Sequence, residues 1–213
     1  MKPILNLRQR FLKRSFDVFF SFIALVLLWW LILLVYLIAT FDTRKNGLFV
    51  QERVGRNGKL FNILKIRTMR DDTSINTTVT QSSDSRITKV GSIIRKTKMD
   101  ELPQLFNVLI GNMSFVGPRP DVPGFADQLI GKGRKILTIR PGITGPATLA
   151  YRNEEEILDR HDDPETYNKE VIFPEKVRIN IKYIEEYSFR KDLKYILATI
   201  LPNIIPEKDL FYE

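Results

Sequence analysis

The chain has no cysteine, one histidine and two tryptophans in 213 residues. Without cysteine there are no disulfides and no thiolate metal sites, and a reducing compartment is permitted. A lone histidine has no companion for a histidine-built metal centre or a catalytic triad. His161 lies in the run Asp159-Arg160-His161-Asp162-Asp163 and reads as an exposed loop residue. The sequence shows no internal repeat, no low-complexity tract, and no helix-turn-helix or RNA-binding signature. Acidic residues are the minority, 25 against 33 Lys and Arg, which gives a formal charge of +8 and a pI near 9.6. Such an excess favours polyanionic partners: nucleic acid, anionic lipid headgroups or nucleotide diphosphates. Charge alone does not choose among them.

One hydrophobic run dominates the rest. From Val18 to Ala39 only Ser21 and Tyr36 interrupt it, and sixteen of the twenty-two residues are Leu, Ile, Val or Phe. At about −0.4 kcal/mol for each of these, insertion into a bilayer gains on the order of 6 kcal/mol. The run is too long for a secretory h-region and lacks a small-residue cleavage motif, so it reads as a retained anchor. Both flanks are basic, with Arg8, Arg10, Lys13 and Arg14 before it and Arg44, Lys45, Arg53 and Arg56 after it. Positive-inside bias then draws both ends to the cytoplasm, which a helix bent at its middle would satisfy; an ordinary spanning helix is the alternative.

The remaining length suits one compact domain of roughly 150 residues. The division expected is 1–41 for the basic segment and membrane helix and 42–213 for a catalytic domain. Leu48 to Gly55 and Leu60 to Ile66 alternate apolar and polar residues around Arg56-Asn57-Gly58-Lys59, the pattern of a β-hairpin turning at Asn-Gly. Asp71 to Arg86 is almost wholly Asp, Thr, Ser, Asn and Gln and reads as a mobile loop that a substrate could order. A short basic helix containing Ile93 and Ile94 is expected next. Asp100 would then N-cap a helix from Glu101 to Ile110 closed by Gly111, and a last helix would run from Lys176 to about Leu201. Gly117-Pro118-Arg119-Pro120 and Arg140-Pro141-Gly142-Ile143-Thr144-Gly145 mark rigid turns. The fold class is therefore mainly α with a small β-hairpin, α+β.

Adjacent carboxylates at Asp100-Glu101 can bind Mg²⁺, and a carboxylate oxygen can attack phosphorus to give an acyl phosphate. Lys65, Arg67, Arg95, Arg119 and Arg140 are candidates to clamp substrate phosphates. An anchored basic domain carrying this set points to an enzyme acting on a lipid phosphate. Two other classes fit parts of it: a tethered basic protein binding nucleic acid or anionic lipid, and a metal-dependent nucleotide hydrolase.

These blocks resemble the bacterial sugar transferase family, the small monotopic phosphoglycosyl transferases. The resemblance runs from Lys13-Arg14-Ser15-Phe16-Asp17, through Phe61 to Met69 and Asp100 to Leu109, to Gly111 to Pro120 and Arg140 to Gly145. It implies transfer of sugar-1-phosphate from a nucleoside diphosphate sugar, usually UDP-linked, to undecaprenyl phosphate with release of UMP. It also implies Asp100 as nucleophile and Mg²⁺ ligand, Glu101 as support for metal or acceptor, and Lys65, Arg95 and Arg119 as phosphate holders. A re-entrant N-terminal helix with interfacial helices, a place in the bacterial inner membrane facing the cytoplasm, and no nucleic-acid partner follow from it; a homodimer is compatible. Two departures stand out. Trp29-Trp30 occupies the place where relatives carry a Ser-Pro break, and Pro146 to Glu155 replaces a Trp-containing segment.

Overall fold

The computed structural model describes residues 5–71, 81 and 83–201 of the chain. Most of the loop expected between Asp71 and Arg86 lies outside the described residues.

Helix α1 spans Leu7–Thr43. Asn6 starts it with a capping box, its side chain accepting from the Gln9 amide while Gln9 reaches back to the Asn6 amide. Its 37 residues make a rod about 55 Å long. The helix is continuous through Trp29 and Trp30, since neither residue removes a backbone donor, and it ends two residues beyond the expected boundary. Its most apolar 18-residue window has a mean hydropathy of 2.9 and is only 17% buried. The buried residues form one stripe, with Lys13, Asp17, Ser21 and Leu25 toward one end and Val35, Ala39 and Thr43 toward the other. The opposite face exposes Phe19, Phe22, Val26, Trp29, Trp30, Leu33 and Leu37.

The hairpin forms as expected. Strands β1, Leu48–Val54, and β2, Leu60–Ile66, pair antiparallel from Leu48 opposite Ile66 to Val54 opposite Leu60. Asn57 and Gly58 both take positive φ at the turn, the conformation for which an Asn-Gly pair is suited. Helix α2, Lys89–Lys96, is capped by the Thr88 hydroxyl, and helix α3, Gln104–Ile110, ends on Gly111 at φ 94°. The Gly/Pro turns then hold more order than expected. Strands β3, Ser114–Val116, and β4, Gly142–Thr144, form a short parallel pair. Their backbones touch so closely that a Cβ on Gly142 would stand 2.1 Å from the Gly117 nitrogen, which leaves room only for hydrogen.

Short helices α4, Pro146–Ala150, α5, Glu154–Leu158, and α6, Pro164–Tyr167, follow. His161 is half-buried, stacked on Tyr167 at 3.5 Å, so the exposed position expected for it is corrected. The single helix expected from Lys176 is two: α7, Phe173–Glu185, and α8, Phe189–Ile200. The break at Glu186 to Ser188 allows Asp192 to fold back and accept from the Tyr183 hydroxyl at 2.6 Å and the Tyr187 hydroxyl at 3.2 Å. Asp192 also pairs with Lys13 at 2.6 Å, tying α1 to the C-terminal helices.

The main core gathers Val54, Val116, Ile136, Leu137, Ile184 and Tyr195. A second cluster packs Val35 and Ala39 of α1 on Ile66 and Ile94, and a third joins Ile63, Val108 and Met113. Both ends of α1 are therefore fixed to the same body. Arg14 donates to the carbonyls of Val108 and Leu109, and Asp17 accepts from Ser114 and Phe115. About twenty-five residues on, Thr40 accepts from the Gly47 amide and Thr88 donates to Asp42.

Candidate active site

The dyad lies one turn before the helix it was expected to cap. Lys98 adopts the left-handed region at φ 57°, turning the chain out of α2 into a tight 3₁₀ turn at Met99–Glu101. This buries Asp100, 7% exposed, and the turn's own backbone bonds use the donors a cap would need. Helix α3 starts three residues later behind Pro103, with no side-chain cap. Asp100 is thus no N-cap.

Asn107 sets the dyad over the hairpin. Its carbonyl accepts from the Leu64 amide at 3.0 Å and its amide donates to the Asn62 carbonyl at 2.8 Å, so a helical side chain supplies the pairing a third strand would give β2. Lys65 lies beside those two contacts. The signal for this was present: a buried Asn inside a short helix needs a reason, because its side chain competes with the helical backbone.

Glu101 is the electrostatic centre. Its Oε1 accepts from Arg119 at 2.8 Å and Lys65 at 3.4 Å. Burial works to raise its pKa, but Arg119 and Lys65 outweigh that and hold the carboxyl well below the usual range. Arg119 is held correspondingly high by Glu101. Lys65 is lowered to about 8, chiefly by burial, against the attraction of Glu101. Asp100 goes the other way: burial and then repulsion from Glu101 raise it, offset by Lys65 and Arg95. Its Oδ1 is buried with no hydrogen-bond partner among the described residues. One carboxylate engages two cations through Oε1, and its neighbour presents a desolvated oxygen. Such a pair divides into a fixed organiser and an available reactive group.

The structure brings Lys65 and Arg119 to the dyad, and Arg95 close enough to act on Asp100. Arg95 itself pairs with Glu155. Arg67 lies apart, bonded to the Asn46 carbonyl and Asp71 with its guanidinium over the Phe49 ring. Arg140 also lies apart and donates to the Gly111 carbonyl at 2.7 Å. Restricted turns fix an arginine in place without fixing which way it faces, and only Arg119 of the two turn arginines faces the dyad.

Several charged groups near the site escaped the sequence reading. Arg53 donates to the Pro120 carbonyl and, chiefly through burial, is lowered to about 10. Burial raises Asp121 to about 6 despite Lys176 and Arg53 nearby. Glu154 holds Lys176 with both oxygens at 2.6 Å, and Lys176 lies over the Tyr151 ring. Arg53 and Lys176 carry no local motif. Glu154 and Glu155 belong to the segment that departs from the resemblance; Glu155 pairs with Arg95 and Glu154 acts on Arg119.

Among the described residues no group of three or more His, Cys, Asp or Glu gathers as a metal cage. The donor set still suits a hard divalent cation that takes most of its ligands from phosphate and water, because Asp100 Oδ1 is a buried oxygen without a partner. Glu101 suits it less, since its Oε1 already serves two cations.

The model of a family described as bacterial sugar transferase matches residues 8–205. The chain is 35% identical over 205 residues to the exopolysaccharide production protein PSS of Rhizobium leguminosarum bv. phaseoli, covering 91% of this chain and 95% of that protein. It is 38% identical over 172 residues to the galactosyl transferase CpsE of Streptococcus agalactiae serotype III, covering 74% and 35%. It is 32% identical over 203 residues to the UDP-glucose:undecaprenyl-phosphate glucose-1-phosphate transferase of Escherichia coli K12, covering 92% and 41%. The chain thus spans almost all of the first relative and less than half of the other two.

Proposed function

We propose that this chain, which belongs to the bacterial sugar transferase family, transfers a sugar-1-phosphate from a UDP-sugar to undecaprenyl phosphate on the cytoplasmic face of the inner membrane. The observation that carries the chemistry is the divided dyad, with Glu101 engaged by Lys65 and Arg119 and Asp100 Oδ1 buried and unpartnered. The substrates come from the names of the relatives, one of which is called a UDP-glucose:undecaprenyl-phosphate glucose-1-phosphate transferase. The sugar stays open, because another relative is named a galactosyl transferase.

The proposed reaction has two displacements. An Asp100 oxygen attacks the sugar-bearing phosphorus, the bond to the bridging oxygen breaks, and UMP leaves with that electron pair. A phosphate oxygen of undecaprenyl phosphate then attacks the same phosphorus and returns Asp100 as carboxylate. Lys65, Arg119 and Arg95 offer cationic donors to the charge that develops on the phosphoryl oxygens. Mg²⁺, held by Asp100, would supply neutralisation of the diphosphate. Glu101 holds Lys65 and Arg119 in place, so its role is positioning.

The membrane reading rests on the packing of α1. A catalytic body cannot lie on both sides of a bilayer, and both ends of α1 are fixed to one body while the apolar face between them is bare. This supports a monotopic arrangement in which the apolar face of α1 sits in one leaflet with both of its flanks in the cytoplasm.

The test is UMP release by the full chain in detergent with Mg²⁺ and a panel of UDP-sugars, with and without undecaprenyl phosphate. Asp100→Asn keeps the side chain's size but removes the nucleophile, and is expected to lower acceptor-dependent turnover by at least about 10³-fold. Near-native activity in that variant would end the covalent proposal. UMP release without acceptor that continues beyond one equivalent per enzyme would replace transfer with hydrolysis.

A further inference from the structure

A second cluster of cations lies away from the dyad, where the N-terminal arm of α1 meets the end of α3. Arg14 donates to the carbonyls of Val108 and Leu109 at 2.7 and 2.8 Å, and Arg140 donates to that of Gly111 at 2.7 Å. The two guanidinium groups flank one peptide, for a methyl group on Gly111 would stand 3.2 Å from Arg14 Nη2. Closing the last carbonyls of a helix is reason enough for these two side chains. It does not account for Arg10 and Arg56. Neither makes a side-chain hydrogen bond or ion pair among the described residues, Arg56 buries its Nε without a partner, and both act electrostatically on Arg140. Burial and then repulsion from Arg14 and Arg56 hold Arg140 below its ordinary pKa. Among the charges that chiefly act on Arg140, Asp17 is the carboxylate, and its Oδ1 is already bonded to Ser114 and Phe115. Guanidinium groups therefore outnumber acids around Arg140, an arrangement that favours an anion.

Beside it lies an exposed apolar face of α1. Phe11, Ser15, Val18, Phe19 and Phe22 share one side of the helix with Arg14 at its edge, and Phe11, Phe19 and Phe22 are each more than half exposed. A ligand that meets both features carries a phosphate at one end and hydrocarbon at the other.

We propose that this is a binding site for an anionic phospholipid of the surrounding bilayer, its phosphate among Arg10, Arg14, Arg56 and Arg140 and an acyl chain along the exposed Phe11–Phe22 face of α1. The site rests on the monotopic reading of α1, which puts this apolar face at the depth of the acyl chains. The acceptor lipid has the same two-part chemistry, but these four arginines are absent from the charges that chiefly act on Asp100 and Glu101, whereas Lys65 and Lys98 act on both. A phosphate held here is outside the dyad's clamp.

The test is photo-labelling of the full chain in nanodiscs containing either phosphatidylglycerol or phosphatidylcholine with a diazirine in the acyl chain. Labelling mapped to Phe11–Phe22 should favour phosphatidylglycerol and fall about fivefold for each arginine removed in Arg10→Gln and Arg56→Gln, which break no hydrogen bond. Arg44→Gln with Lys45→Gln, at the other end of α1, should leave it unchanged. Equal labelling by the two lipids, or indifference to Arg10 and Arg56, would overturn the site while leaving the membrane reading intact. Displacement by equimolar undecaprenyl phosphate would also overturn it, by making the cluster an acceptor site. Failure to enter nanodiscs at all would remove the membrane reading and the lipid site with it.

Discussion

Lys65 is held between Glu101, which keeps it charged, and burial, which lowers it to about 8. The donor's diphosphate would meet an ammonium below that pH and a neutral amine above it. We expect kcat/KM for the UDP-sugar, which reports the free enzyme, to fall about tenfold per pH unit above 8. Lys65→Arg should move that alkaline limb upward, because guanidinium keeps its proton. Stability runs the opposite way. The folded pKa of Lys65 lies below its unfolded value near 10.5, so the folded state binds fewer protons between about 8 and 10.5, and this group makes the fold more stable as pH rises through that window. Activity lost without loss of melting temperature from pH 8 to 9.5 would separate the two effects, and a parallel fall in both would reject the assignment. The dyad was legible because adjacent carboxylates are visible in one dimension. The division of labour between them was not, since it depends on Arg119 reaching Glu101 from a turn eighteen positions away. Arg53 and Asp121 were invisible for the same reason: an ordinary charge in a sequence gives no sign that the fold will bury it.

The Lys13–Asp192 pair shows how one contact can hold two elements. Both side chains are almost wholly buried, and Tyr183 and Tyr187 complete the acceptor sites of Asp192. Removing the cation by Lys13→Ala leaves a buried carboxylate without its counter-charge, a loss of about 3–5 kcal/mol. That corresponds to a fall of roughly 6–20 °C in melting temperature for a chain of this size. A fall of less than 2 °C in detergent would show that α1 docks without the pair. The hairpin could be read from alternation and Asn-Gly, and α3 closed at the glycine the sequence indicated. The α7 to α8 break could not, because the residues between them continue a helical pattern and the turn is fixed by the distant Lys13. Likewise β4 lies inside a run that reads as a turn and β3 just before another: strands of three residues beside Gly and Pro lack the β-branched alternation that marks a strand, and what pairs them is close backbone contact at Gly117 and Gly142.

How α1 meets the bilayer follows from its two ends, and the absence of cysteine makes this easy to examine. Single cysteines at Arg8→Cys and Arg44→Cys, both exposed positions, should react with a membrane-impermeant maleimide from the same side of inverted vesicles. Reaction from opposite sides would mean a spanning helix and end the monotopic proposal. The length and apolarity of this helix were legible from composition alone. Its docking was not, since the buried stripe passes through residues that also satisfy a lipid-facing pattern. The pair that closes one end joins residues 179 apart in sequence. A ribosome adding 5–20 residues per second needs about 10–35 s to cover that interval. Throughout it Lys13 has been made and Asp192 does not yet exist, so on the monotopic proposal the newborn helix rests on lipid first, and membrane partition comes before folding rather than after it.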